Sequence, residues 1–350
     1  DYLSLLPISE SLINIHLPIS QEYLELSKKR LVFDELLLLQ LKFILKRINR
    51  NKNTFKSKNL NKRLLLDIFL DQLPFKLTDS QIKVLEEIKL DLNGMNPMSR
   101  LLQGDVGSGK TIIAIASLLM TIEKGYQCAF MVPTEVLAEQ HYKSLINLTN
   151  SLFISIELLT GNTLEKKRNQ IRKDLENGQI NVLVGTHALF EEKVIFNSLG
   201  LVIIDEQHRF GVSQRNRLLK KGENAHLLSM TATPIPRTLA LSIYGDLDIS
   251  QITELPPGRI PVVTEIISEN NLTDLFKTVE KEIESGKQVY VILPLIEESE
   301  KLNLNSAINI YEYLSDEVFQ QFNVGLLHGK LNSNDKNKIL NLFSENKINI

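Results

Sequence analysis

The stretch Gly104, Asp105, Val106, Gly107, Ser108, Gly109, Lys110, Thr111 constrains the fold of this chain more than any other. It has the spacing G-x-x-x-x-G-K-[ST], and it sits between a short apolar run at 101–103 and a helical pattern at 112–122. Glycine is needed there because the backbone must close around an anion with its N–H groups turned inward. A Cβ at those positions would clash or forbid the required φ. A helix beginning just after the loop adds the positive end of its dipole. Strand, tight loop and helix in succession are the opening of a parallel α/β sheet.

Further apolar runs at 129–132, 153–159, 181–184, 201–204 and 227–230 alternate with helical patterns, as in a parallel sheet covered on both faces. Ahead of them, residues 19–49 carry Leu24, Leu31, Phe33, Leu36, Leu37, Phe43 and Ile44 at helical spacing, with Ser20 available as an N-cap, and read as one or two long helices. An Asn- and Lys-rich loop over 49–62 precedes a further helix at 64–73. Residues 255–261 hold three prolines and a glycine, which neither a helix nor a central strand tolerates. The chain therefore divides into a helical leader (1–73), an α/β domain (74–252) and a second α/β domain (253–350) with strands expected near 261–267, 288–293, 322–327 and 348–350.

Composition narrows the class. The 350 residues are 43% hydrophobic, enough for several cores, and no apolar run reaches the roughly 18 to 20 residues that span a bilayer, so no membrane role is expected. The sequence opens at Asp1 without a basic and apolar leader, which reads as an internal cut. Its one cysteine, Cys128, lies in an apolar run and reads as a buried, reduced thiol. A formal net charge of -2 gives no whole-molecule attraction to a polyanion, so nucleic-acid contacts must be local. One candidate strip has nine basic residues and no acid between Lys42 and Arg63, and it reads equally as a solvated helix end. His16 reads as structural.

The loop chemistry implies ATP and Mg²⁺. Lys110 should reach the β and γ phosphates, and the Thr111 hydroxyl should ligate Mg²⁺. Ninety-five residues after Lys110, the run 201–204 ends in Asp205, Glu206, Gln207, His208, placing two carboxylates at the sheet edge where open α/β folds bind ligands. Asp205 is the natural second Mg²⁺ partner, and Glu206 is placed to orient and deprotonate the attacking water. A small-molecule kinase would use the same loop and one such acid. It would not need the stiff turn that follows the run at 227–230, where Thr231, Thr233 and Arg237 accompany Pro234 and Pro236 and suit a coupling role. Upstream, Phe75, Leu77, Thr78 and Gln81 precede the loop, and a glutamine amide offers the donor and acceptor that adenine N6 and N7 require.

From about residue 74 onward these stretches resemble the motifs of superfamily 2 helicases. Asp205 to His208, followed by Arg209, Phe210, Gly211, Val212, Gln214 and Arg215, resembles the RecG family in particular, as does 255–261. Transcription-repair coupling translocases share the turn at Thr231 and a variant of the Arg-Phe-Gly-Val stretch, but lack the Gln-His pair and the Pro-Pro-Gly linker. The resemblance implies a RecA-like P-loop lobe at 74–252 and a truncated second RecA-like lobe at 253–350. It adds His208 to the candidate catalytic set of Lys110, Asp205 and Glu206. It also implies DNA-backbone contacts from Pro133, Thr134, Gln140, Thr186 and His187, with Thr160 and Gly161 in another first-lobe loop. The second lobe's opening motifs match at 294–299 and 327–330. The implied activity is ATP-driven translocation on double-stranded DNA that remodels stalled forks and Holliday junctions, by a monomer in a bacterial cytoplasm, with an organellar home also open. The family's wedge domain would precede Asp1, and the arginines that complete the ATP site would follow Ile350, so slow turnover is expected of this chain. Two rivals remain at this stage: an RNA helicase of the same superfamily, and a nucleotide-gated binding module for which Glu206 is dispensable.

Overall fold

Strands β1 (Ser99–Gly104), β2 (Gln127–Met131), β3 (Ile156–Leu159), β4 (Val182–Gly185), β5 (Leu199–Ile204), β6 (His226–Thr231) and β7 (Asp248–Ile252) form one sheet in the order β3-β4-β2-β5-β6-β1-β7. Every pairing is parallel. The computed structural model describes residues 4–50, 64–233, 247–254, 262–268, 271–293 and 300–350. Two compact units emerge, Asp1–Arg259 and Ile260–Ile350.

In the first unit, β2, β4, β5 and β6 are buried along their whole length, which explains their near-continuous apolar sequences. Helices α4 (Asp79–Asn93), α5 (Lys110–Ile122), α6 (Glu135–Thr149), α7 (Glu165–Glu176) and α8 (Val212–Leu219) accompany the strands. Cys128 on β2 is fully buried, its sulfur 3.8 Å from the Leu118 carbonyl of α5, and burial pushes its thiol well above the usual range. Strand β7 has no apolar run and was not expected from sequence. It is held at the sheet edge by Arg100 of β1, whose buried guanidinium reaches Asp91 and Glu87 of α4 (2.8 and 3.1 Å) and Ser250 of β7 (2.8 Å). The run at 153–159 enters the sheet only at Ile156, because Phe153 takes a left-handed φ of 51° and is 98% exposed.

Ahead of the sheet lie α1 (Ile8–Asn14), the single helix α2 (Gln21–Arg50) and α3 (Leu64–Gln72). Glu123, just beyond α5, accepts hydrogen bonds from the backbone N–H groups of Leu65 (2.7 Å) and Leu66 (3.0 Å), so it caps α3 and seats it on α5. His16 is exposed. Most of the basic strip, including 51–63, falls outside the described residues. Among the described residues no helix is long and apolar enough to cross a membrane.

The second unit has α9 (Leu272–Glu284), α10 (Glu300–Tyr313) with a π-helical continuation at Leu314–Val318, and α11 (Ser333–Ser344). Ile283, Leu314, Phe319 and Ile350 form its core, with Phe276 edge-on to Phe319 at 5.6 Å. The strands expected in this unit are not formed among the described residues. Val289 N–H donates to the Asn349 carbonyl and Gly325 N–H to that of Ile350, both without a continuous ladder. Val262, Val263 and Ile266 are at least 80% exposed, so the apolar run there packs on no partner among the described residues. The expected boundary at 255–261 and the stretch 294–299 lie outside the described residues.

Candidate active site

A parallel sheet delivers the C-terminal ends of all its strands to one edge, and the strand order divides that edge in two. The adjacent strands β5, β6 and β1 lead into Asp205–Glu206, Thr231–Thr233 and the glycine-rich loop. The adjacent strands β3, β4 and β2 lead into 160–161, 186–187 and 133–134.

In the loop, Gly107 and Gly109 adopt positive φ of 76° and 90°. Gly104 has no room for a side chain: a Cβ there would come within 2.5 Å of the Ser108 Oγ. That Oγ is buried and has no hydrogen-bond partner, as expected of a donor kept for a phosphate oxygen. Lys110 Nζ donates to the carbonyls of Gly104 (2.7 Å) and Asp105 (2.9 Å) and so spans the loop. Burial lowers its pKa, while Asp205, Glu206 and Asp105 pull it back up. Those carboxylates therefore share the electrostatic surroundings of the lysine across 95 residues of sequence, and with Thr111 at the start of α5 they suit a phosphate and a hard divalent cation.

Asp205 is held on all sides. Its N–H donates to the Met131 carbonyl (2.9 Å), its Oδ1 accepts from Glu206 N–H (3.0 Å), and its Oδ2 lies 3.0 Å from His141 Nε2. Glu206 has φ 50° and ψ 53°, a left-handed conformation that costs a non-glycine residue about 1 to 2 kcal/mol and here presents the candidate base at the turn. Gln207 follows in a short 3-10 turn (Gln207–Arg209), its side-chain amide buried without a hydrogen-bond partner. The His208 side chain lies outside the described residues. Strand β6 packs on this turn, and at its end the Thr231 and Thr233 hydroxyls are 2.8 Å apart. Arg237 lies outside the described residues.

The candidate adenine segment leads into α4. Thr78 is its N-cap and Phe75 is 42% exposed. Gln81 is buried: its Oε1 accepts from Thr78 N–H (2.9 Å) and its Nε2 donates to the Ser108 carbonyl (2.8 Å). Both ends of the amide proposed for adenine are thus engaged locally, and Gln81 fastens α4 to the phosphate loop.

On the other half of the edge, Thr134 caps α6 and, like Gln140 and His187, is exposed; Pro133 is half-buried. Thr186 is buried with its hydroxyl unpartnered. The loops are tied together by residues that sequence did not single out. Glu135 accepts from the Asn162 N–H (3.2 Å). Arg168 of α7 donates to the carbonyls of Thr160 (2.9 Å) and Gly161 (3.1 Å) and to Glu191 (2.5 Å), which ends the 3-10 turn His187–Phe190. Burial would raise the Glu191 pKa, but hydrogen bonds from Arg172 and Arg168 outweigh it and hold the carboxyl below the usual range. Among the described residues no cluster of three or more His, Cys, Asp or Glu could hold a metal ion.

The DEAD/DEAH box helicase family matches residues 78–241, a span running from the Thr78 cap through both halves of the edge. The ATP-dependent DNA helicase RecG of Synechocystis sp. is 49% identical over 99% of this chain, and that of Thermotoga maritima is 45% identical over 99%. A solved structure of RecG bound to a three-way DNA junction superposes with a TM-score of 0.82 at 41% identity over 99% of the chain. Over nearly its whole length the chain is similar to RecG. It spans 42% of the Synechocystis RecG, 44% of the Thermotoga RecG and 45% of the RecG chain in the junction structure. The stretch 205–215 that resembled RecG in sequence runs from the end of β5 through the turn at 207–209, which packs on β6, into α8.

Proposed function

We propose that this chain is the motor portion of a RecG-type enzyme that binds Mg-ATP at the β1-β5-β6 half of the edge and uses its hydrolysis to translocate on double-stranded and branched DNA, including stalled forks and Holliday junctions. The observation that carries this reading is the division of one sheet edge between a phosphate cradle and a second, internally braced set of exposed loops. The similarity to RecG solved on a branched DNA supports the choice of substrate.

Lys110 exchanges its two loop carbonyls for β- and γ-phosphate oxygens, and Ser108 Oγ gains the partner it lacks. A Mg²⁺ held through Thr111 and Asp205 would supply charge neutralisation across the same phosphates. Glu206 accepts a proton from water as the water oxygen bonds the γ-phosphorus and the bond to the β-phosphate oxygen breaks. Thr231 and Thr233, with Arg237, carry the change onward from the turn at 207–209. Pro133, Thr134, Gln140, Thr186 and His187 grip backbone phosphates of the duplex. The enzyme works as a monomer in the bacterial cytoplasm, at the nucleoid.

The test is steady-state ATP hydrolysis by the full-length protein with and without a synthetic four-way junction, beside Lys110→Ala and Glu206→Gln. Strong junction stimulation, lost in both variants, is the expected result. Activity indifferent to DNA, or stimulated by RNA alone, would overturn the assignment.

A further inference from the structure

Helix α6 carries residues of both halves of the sheet edge, and one of them, His141, touches the acid assigned to the metal. Its Nε2 lies 3.0 Å from Asp205 Oδ2, and the two side chains are 12% and 14% exposed. A carboxylate only accepts, so the imidazole nitrogen at this contact carries the hydrogen. The ring is fixed by packing on Phe130 of β2, with centroids 4.9 Å apart, and Phe130 is fully buried. The other Asp205 oxygen is taken by Glu206 N–H, which moves with the same turn. His141 thus fixes the Asp205 carboxylate from outside its own loop.

We infer that His141 is the positioning residue for the metal-site carboxylate, holding Asp205 in one orientation through its Oδ2 while leaving the remaining lone pairs for a divalent cation. This rests on the reading of Asp205 as a Mg²⁺-holding acid. Outer-shell donors of this kind typically carry about 10- to 100-fold in metal affinity. The same helix begins at the Thr134 cap and displays Gln140 one residue before His141.

The experiment is a Mg²⁺ titration of fluorescent ATP-analogue binding to the full-length protein and to His141→Ala, His141→Phe, His141→Gln and Asp205→Asn. His141→Phe keeps a ring against Phe130 without the donor, and His141→Gln places an amide N–H near the original Nε2. The expected result is a half-saturating Mg²⁺ concentration raised about 10- to 100-fold in the Ala and Phe variants and largely restored in the Gln variant. A role in packing alone predicts the opposite pattern: the Phe and Gln variants would share one Mg²⁺ dependence, differing from wild type only in melting temperature, and that result overturns the proposal. Should Asp205→Asn bind with wild-type Mg²⁺ dependence, the metal role of Asp205 falls and the proposal falls with it, which separates that failure from a failure of His141 alone.

Discussion

Gln81 donates its side-chain N–H to the Ser108 carbonyl at 2.8 Å, so the helix that precedes the sheet and the loop that receives phosphate are joined by a single buried amide. Losing a buried hydrogen bond of this kind costs about 1 to 3 kcal/mol when a partner is left unsatisfied. Gln81→Glu should weaken nucleotide binding by about tenfold or more, because it sets an oxygen against a carbonyl oxygen. Fluorescent-nucleotide titration alongside a denaturant melt measures both effects, and wild-type affinity in Gln81→Glu would remove the amide from the account of the site.

Gly109 lies against the same amide. A Cβ there would sit 2.3 Å from Gln81 Nε2, and the residue has a φ of +90°. Gly109→Ala should therefore abolish nucleotide binding with little loss of helical content by circular dichroism. Adding Gln81→Ala relieves the clash but not the backbone strain, so the double variant should recover only part of the affinity. Full recovery would assign the whole defect to the side-chain contact.

Arg168 fixes the loops at 160–161 and 191 with one planar guanidinium. Lysine cannot reproduce that fork. Both Arg168→Ala and Arg168→Lys should raise the DNA concentration that half-saturates ATP hydrolysis, by about tenfold, while nucleotide affinity stays unchanged. Unaltered DNA dependence in both variants would argue that these loops need no such brace.

His226 is a pH-dependent element of stability. Burial, helped by the Lys124 charge, lowers its pKa to about 3, and its Nδ1 accepts from the Met98 N–H at 2.9 Å. The unfolded chain takes up this proton near pH 6.5 and the folded chain does not, so stability falls as pH drops from 6.5 toward 3. Between pH 7 and pH 5 the loss from this group is roughly 2 kcal/mol. Urea midpoints for wild type and His226→Asn, which keeps an acceptor but does not titrate, should converge as pH falls. Parallel pH curves would show that some other group sets the acid limb.

The placement of the glycine-rich loop before α5, and of Asp205 at the end of β5, was legible in the sequence because it depends on short-range spacing: glycines where φ is positive, and acids at the end of an apolar run. The buried strands were legible for the same reason. Strand β7 was not, since Asp248 and Ser250 interrupt its apolar pattern and its place is set by Arg100, 150 residues from its partner Ser250. His141 and Arg168 were also hidden. Each is an ordinary polar residue on a helix; His141 reaches Asp205 because β2 and β5 are neighbours, and Arg168 reaches Glu191 because β3 and β4 are. In the second unit, apolar runs such as 261–267 looked like strands, but a run of side chains does not state whether a neighbouring backbone is there to complete a ladder.

The burial of Cys128 has a practical consequence. With its thiol enclosed between β2 and α5 and its ionisation suppressed, it is closed to maleimide and similar reagents while the sheet is intact. The native background of this chain is therefore silent, and a cysteine introduced at Met95 (78% exposed) in the first unit and another at Val263 (82% exposed) in the second would be the sites that take a dye. A donor and acceptor placed there would report whether the separation of the two units changes when ATP is added, with no native residue of this chain removed to make it dark.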